Sequence, residues 1–218
     1  MVHLIITQIE ASDWDEIIEG HFRAFQHEPF QQLIHGENTP RNRQIVIERS
    51  LTQFTTQSNS IWLKAIDTSS SNKIAGVVNY KLNPVSVPLK RPELSMDDMI
   101  WLEDPEDKRI LDTLFKAIVD RKFRLLNEGH IQLNTLFVLP EYRAQGIASR
   151  LIDWGRGLAN HLMVPIRLES TMIAHPVYLK HGFVDIEHAR YVMGKWDVEY
   201  YVMRWEPKAA EGKFEISK

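Results

Sequence analysis

The sequence contains no cysteine. Disulfides, zinc–thiolate sites and a cysteine nucleophile are therefore excluded. No apolar run approaches the length of a membrane span. The first residues, MVHLIITQIEASDWDE, lack the basic segment followed by a long apolar run that marks a signal peptide. A soluble, cytoplasmic protein is the expectation. An excess of charge of one sign is also lacking: the net charge is −3, and the basic clusters at Arg41/Arg43 and Arg121-Lys122/Arg124 are small. That is no electrostatic footprint for nucleic acid, and those clusters read as solvated faces. G-x-x-x-x-G-K-[ST], H-E-x-x-H and G-x-S-x-G are all missing, as is any internal repeat. No metal site is expected.

What the chain does have is the material for a core. With 44% apolar residues and six tryptophans it does not resemble a disordered chain. VHLIITQI (2–9) reads as a strand, and Ser12 or Asp13, with Glu16 as capping-box partner, starts a helix over about 13–26. Ile17, Ile18, Phe22 and Phe25 form its apolar face, and His21 and His27 near that face read as packing or surface residues. Pro29 marks the helix end, and residues 28–40 read as an irregular connection. A second helix is expected over about 42–57, followed by an antiparallel hairpin of strands 60–67 and 73–82 around Thr68–Asn72.

Residues 83–107 have four prolines and little periodicity, yet carry Met96, Met99, Ile100 and Trp101. A lid or acceptor-site wall and a wrapping segment that packs Trp101 on the core fit that composition equally. A long helix over about 107–127, a strand at 131–138, a helix from Ile147, a strand at 165–170, a short helix over about 172–181 and two closing strands complete the order. Gly155 and Gly157 each cost about 1 kcal/mol relative to alanine inside a helix, which implies close packing or a weak C-terminal half. Strands and helices alternate with no linker, so one α/β domain covers 1–206, with 207–218 as a tail.

Chemistry concentrates in two segments. Between strand and helix lies Arg143-Ala144-Gln145-Gly146-Ile147-Ala148, where the first amides of a helix have no intrahelical acceptor and the dipole favours an anion. One strand and one helix later the chain reads Tyr178-Leu179-Lys180-His181-Gly182-Phe183. The pattern R-x-x-G-x-A followed by Y-x-K-x-G-F resembles the GCN5-related N-acetyltransferase (GNAT) family over about 130–184, and the element order extends the resemblance loosely to the whole chain. The N-terminal half and the 83–107 insertion carry no motif of that family.

The resemblance implies a mixed α/β (α+β) fold: a central, mostly antiparallel twisted sheet flanked by helices. It implies acetyl-CoA as cosubstrate, and direct acetyl transfer to an amine in a ternary complex. An acyl-cysteine route is closed in a chain without cysteine. Leu136, Phe137 and Val138 would hold the pantetheine arm and acetyl oxygen. Arg143, Ala144, Gln145, Gly146, Ile147, Ala148 and Ser149 would take the pyrophosphate. Tyr178, beside the sulfur, would be the general acid: a phenol of pKa about 10 can donate to a leaving thiolate of pKa about 8.5. A buried aromatic is its plain alternative.

The base is open between Glu169, His175 and solvent. Glu169 also reads as an ion-pair partner of Arg167 or another cation, and His175 as an exposed helix residue. Thr171-Met172 stands where many family members have Ser-Pro, so the local pocket differs. The acceptor is expected to be a small amine, with no nucleic-acid or membrane partner, and self-association as a homodimer stays open. A non-catalytic acyl-CoA-binding module, or a protein that has kept only the fold, are the competing readings.

Overall fold

The computed structural model describes residues 3–83, 95–125 and 128–208. β1 (Leu4–Gln8) leads through a 3-10 turn into α1 (Trp14–Ala24), α2 (Pro29–His35) and α3 (Pro40–Thr56). The hairpin β2 (Ser60–Asp67) and β3 (Lys73–Asn83) follows, then α4 (Pro105–Leu125), β4 (His130–Val138), α5 (Ile147–Leu162), β5 (Ile166–Thr171), α6 (His175–Lys180), β6 (Val184–Met193) and β7 (Trp196–Trp205). Among the described residues the seven strands form one sheet in the order β1-β2-β3-β4-β5-β7-β6. Every pairing is antiparallel except β4 with β5. The mixed, mostly antiparallel α/β fold expected from the sequence is the fold observed.

Several boundaries differ from the sequence reading, each for a local reason. Residues 28–40 are not irregular throughout, since α2 takes up Pro29–His35. Pro29 occupies the first position of α2, where its missing N–H is no loss because that amide has no intrahelical partner anyway. The cap of the first helical segment is also different: the Glu10 amide donates to Asp13 Oδ2 at 2.6 Å. Glu16 instead accepts from the Ile74 amide at 2.9 Å and ties α1 to β3. α6 is shorter than expected because Ala174 N–H turns back to the Thr171 hydroxyl at 3.3 Å before the helix begins. The two last strands are longer, meeting across Gly194 in the left-handed region (φ 57°).

Two apolar clusters hold the layers. One joins α1, α5 and the middle of the sheet through Trp14, Tyr80, Leu151 and Phe183. The other lies between α2, α4, β6 and β7, and it takes Met99 and Trp101 from the stretch preceding α4. The Trp101 indole N–H donates to Leu33 O at 3.1 Å. The described end of the 83–107 stretch thus packs on the core, and residues 84–94, the rest of the proposed lid, lie outside the described residues.

Gly155 shows why α5 accepts a glycine. A Cβ there would lie 2.3 Å from Tyr80 Cζ, and the Tyr80 hydroxyl donates to Leu151 O at 2.9 Å beneath it. A Cβ on Gly157 would meet nothing within 4 Å. Gly155→Ala is therefore expected to lower unfolding stability by about 1–3 kcal/mol through overpacking. Gly157→Ala should raise it by up to about 1 kcal/mol through helix propensity. Urea denaturation of the pair would read both signs.

Candidate functional site

The sheet opens at its parallel joint. β4 and β5 pair only at Ile131↔Ile166 and Gln132↔Arg167. Beyond them β4 carries a bulge at Asn134, since Asn79 faces Thr135 while Tyr80 faces Leu133. Toward β5, the backbone groups of residues 134–138 thus have no strand partner among the described residues. Leu136, Phe137 and Val138 lie on this open stretch, still paired to β3 on the other side.

The loop that follows is pinned on all sides. Tyr142 donates to Asp67 at 3.3 Å, and Glu141 pairs with Arg23 at 2.9 Å and Lys73 at 3.4 Å. Arg143 donates to Ala24 O at 2.9 Å and Val138 O at 3.4 Å, so its guanidinium ties the loop to the end of α1. Gln145 donates to Glu141 O at 3.2 Å. Ala144 (φ 59°) and Gly146 (φ 78°) are left-handed. The first helical bond of α5 is Arg150 N–H to Gly146 O. The amides of Ala144, Gln145, Gly146, Ile147, Ala148 and Ser149 are left without an acceptor among the described residues. A fixed cluster of free N–H groups at the positive end of a helix suits a polyanion.

Tyr178 lies on α6, which packs beside β5. It is 5% exposed and packs edge-on against Phe183 with centroids 5.4 Å apart. Its hydroxyl has no hydrogen-bond partner among the described residues, and burial pushes the phenol pKa above its ordinary value. A side-chain chain links its helix to α5: His181 Nε2 lies 3.0 Å from Ser149 Oγ, and Asp153 lies 3.3 Å from His181 Nδ1. The end of α6 is thereby held against the first turn of α5.

The two candidate bases are engaged elsewhere. Glu169 accepts from Gln132 at 2.8 Å and pairs with Lys122 of α4 at 3.4 Å. Its neighbour Arg167 pairs instead with Glu128 at 2.6 Å. His175 is bonded to Asp185 at 2.8 Å and stacked on Tyr201 at 3.8 Å.

A cavity of about 310 Å³ lies between α1 and α2, lined by His21, Phe22, Phe25, Gln31, His35 and Glu37 among others. It abuts β4, because Phe137 packs against His21 (5.8 Å) and Phe25 (6.2 Å). His21 is 7% exposed and its Nε2 has no partner among the described residues. Burial lowers its pKa to about 4, with Gln31 opposing through a hydrogen bond and the nearby Arg49 charge adding to the fall. Burial also holds His35 well below its ordinary value, helped by His21 and Arg49. The sequence reads His21 as a packing or surface residue and places His35 in an irregular connection, so neither is marked there as part of a site.

A sign follows for stability. His21 has a folded pKa below its unfolded value of 6.5. The unfolded chain therefore binds the extra proton between those values, and stability present above 6.5 is lost as pH falls toward 4. The loss from this group is on the order of 3 kcal/mol at most. Urea midpoints at pH 7.5 and 4.5 should show the fall, and His21→Asn should make it shallower.

Residues 106–185 match the model of the acetyltransferase (GNAT) domain. A probable acyltransferase of Ajellomyces capsulatus, SID5, is 35% identical over 92 residues, 42% of this chain and 62% of that protein. An uncharacterized N-acetyltransferase of Staphylococcus aureus is 35% identical over 80 residues, 37% of this chain and 48% of that protein. The chain thus spans about half to three-fifths of the length of these relatives. Arylalkylamine N-acetyltransferase 2 of Aedes aegypti shares the fold at TM-score 0.63 and 17% identity, over 94% of this chain and all of that one. A histone acetyltransferase HPA2-related structure from Corynebacterium glutamicum does so at TM-score 0.61 and 18% identity, over 97% of this chain and all of that one. The matched segment contains the open strand, the amide loop and Tyr178, and excludes α1–α3 with the cavity.

Proposed function

We propose, for a chain whose residues 106–185 match the acetyltransferase (GNAT) domain, acetyl-CoA-dependent N-acetylation of a small amine by direct transfer in a ternary complex. One observation carries the reading: the cavity between α1 and α2 reaches Phe137 on the stretch of β4 that is open toward β5, and the free-amide loop follows that stretch directly in the chain. A donor on the loop side and an acceptor on the cavity side would meet there.

In this reading the amides of residues 144–149 hold the coenzyme pyrophosphate, and the open edge at Leu136, Phe137 and Val138 holds the pantetheine arm and polarises the acetyl carbonyl. Donors aimed at a developing oxyanion are worth about 10²–10³ in rate each. Arg143 and Gln145 shape the loop from outside through their bonds to Ala24, Val138 and Glu141. Ser149, bonded to His181, sets where α6 presents Tyr178.

The amine nitrogen attacks the thioester carbon, the C–N bond forms and the C–S bond breaks. Tyr178 gives its proton to the departing sulfur, and the proton lost by the amine returns to the tyrosine through solvent. Glu169 and His175 are held by Lys122 and Asp185, so we assign the amine's deprotonation to water. The cavity assists, because the burial that keeps His21 neutral disfavours an ammonium ion in the same place. The same engagement of Glu169 and His175 is what a non-catalytic acyl-CoA-binding module would show. A thiol-release screen with acetyl-CoA and an amine panel separates the two: release with an amine supports transfer. Coenzyme binding without any release supports the module.

A further inference from the structure

Arg49 is a half-buried cation with no carboxylate partner among the described residues. It lies in α3, with Cζ 4.8 Å from the centroid of the Trp101 ring, and its Nη2 is 2.6 Å from His35 Nδ1. Burial pushes its pKa below the usual arginine range, yet the group stays charged. Among the described residues no carboxylate pairs with it. A guanidinium removed from water is costly when nothing of opposite charge accompanies it.

The contact fixes the histidine. Arginine only donates, so Nδ1 of His35 is the acceptor and the ring proton sits on Nε2. His35 lines the cavity, and the cation behind it strengthens its remaining N–H as a donor. His21 stands at 4.8 Å from it, also uncharged, with Nε2 unpartnered. Phe22 and Phe25 supply apolar wall. Glu37, the carboxylate among the lining residues, is solvent-exposed.

We infer that the acceptor is a small amine that also bears a carboxylate beside an apolar or aromatic group, its carboxylate facing the N–H of His35 that Arg49 polarises from behind. This rests on the acetyl-transfer reading above. The cavity's size suits one small molecule and no peptide tail. The two phenylalanines match an apolar side chain. The His35 N–H, polarised by the Arg49 charge behind it, matches the anion, and that charge disfavours polycations such as polyamines.

The test compares each amino acid with its decarboxylated twin: phenylalanine with phenethylamine, tryptophan with tryptamine, and spermidine as the polycation. For the wild-type protein, kcat/KM for thiol release should favour the carboxylate-bearing member at least tenfold in the better pair. Arg49→Gln should abolish that preference with acetyl-CoA affinity unchanged, and Arg49→Lys should retain part of it. Equal or better turnover of the decarboxylated amines or spermidine overturns the inference and leaves acetyl transfer standing. Absence of thiol release with every amine overturns both. The wild-type comparison needs no variant to fold.

Discussion

Tyr178→Phe should lower kcat by about 10²–10⁴-fold, the usual range for loss of a positioned acid, while the acetyl-CoA dissociation constant changes little. Burial alone acts on the hydroxyl, with no hydrogen bond to it among the described residues, so its removal orphans no buried group. The ring contact with Phe183 survives in phenylalanine. Stability should therefore stay within about 0.5 kcal/mol of wild type, as for substitutions that break no network. A tyrosine serving only to pack would give the same stability result with turnover intact. Binding calorimetry, steady-state rates and urea midpoints on one preparation discriminate the cases. Because burial raises the phenol's pKa, an alkaline fall in rate below pH about 10 would have to come from another group.

The second large effect is expected at Gly146. Its φ of 78° is left-handed, and a Cβ built there meets nothing within 4 Å. Conformation, not crowding by the protein, is what demands glycine. A β-branched residue is the least tolerant of that region, and holding it there costs about 1–3 kcal/mol. Gly146→Val should surrender the loop conformation that gathers the six amides. Acetyl-CoA affinity should then fall about 5–150-fold, the equivalent of that strain. Gly146→Ala should fall between valine and wild type. Equal affinities across the three proteins would remove residues 144–149 from coenzyme binding.

What the sequence made legible was local or periodic. The amide loop and Tyr178 could be placed because a helix start and a motif at its spacing need no knowledge of what packs across the sheet. Gly155 hinted at close packing, and Tyr80 supplies the reason. Lys122 could not be foreseen as the partner of Glu169, because the pair joins α4 to β5 across 47 positions of chain. His21, His35 and Arg49 lie on three successive helices, and each alone looks like a solvated or packing residue. Only the fold brings the two rings to 4.8 Å and the guanidinium onto His35. Pro29 misled because proline signals a helix end and a helix start with the same letter.

The most direct measurement is a set of initial velocities of coenzyme release, with acetyl-CoA and a turned-over amine varied against each other. Direct transfer in a ternary complex requires double-reciprocal lines that intersect, with acetylated amine forming in step with free thiol. Parallel lines, which mark an acetylated enzyme intermediate, would contradict it.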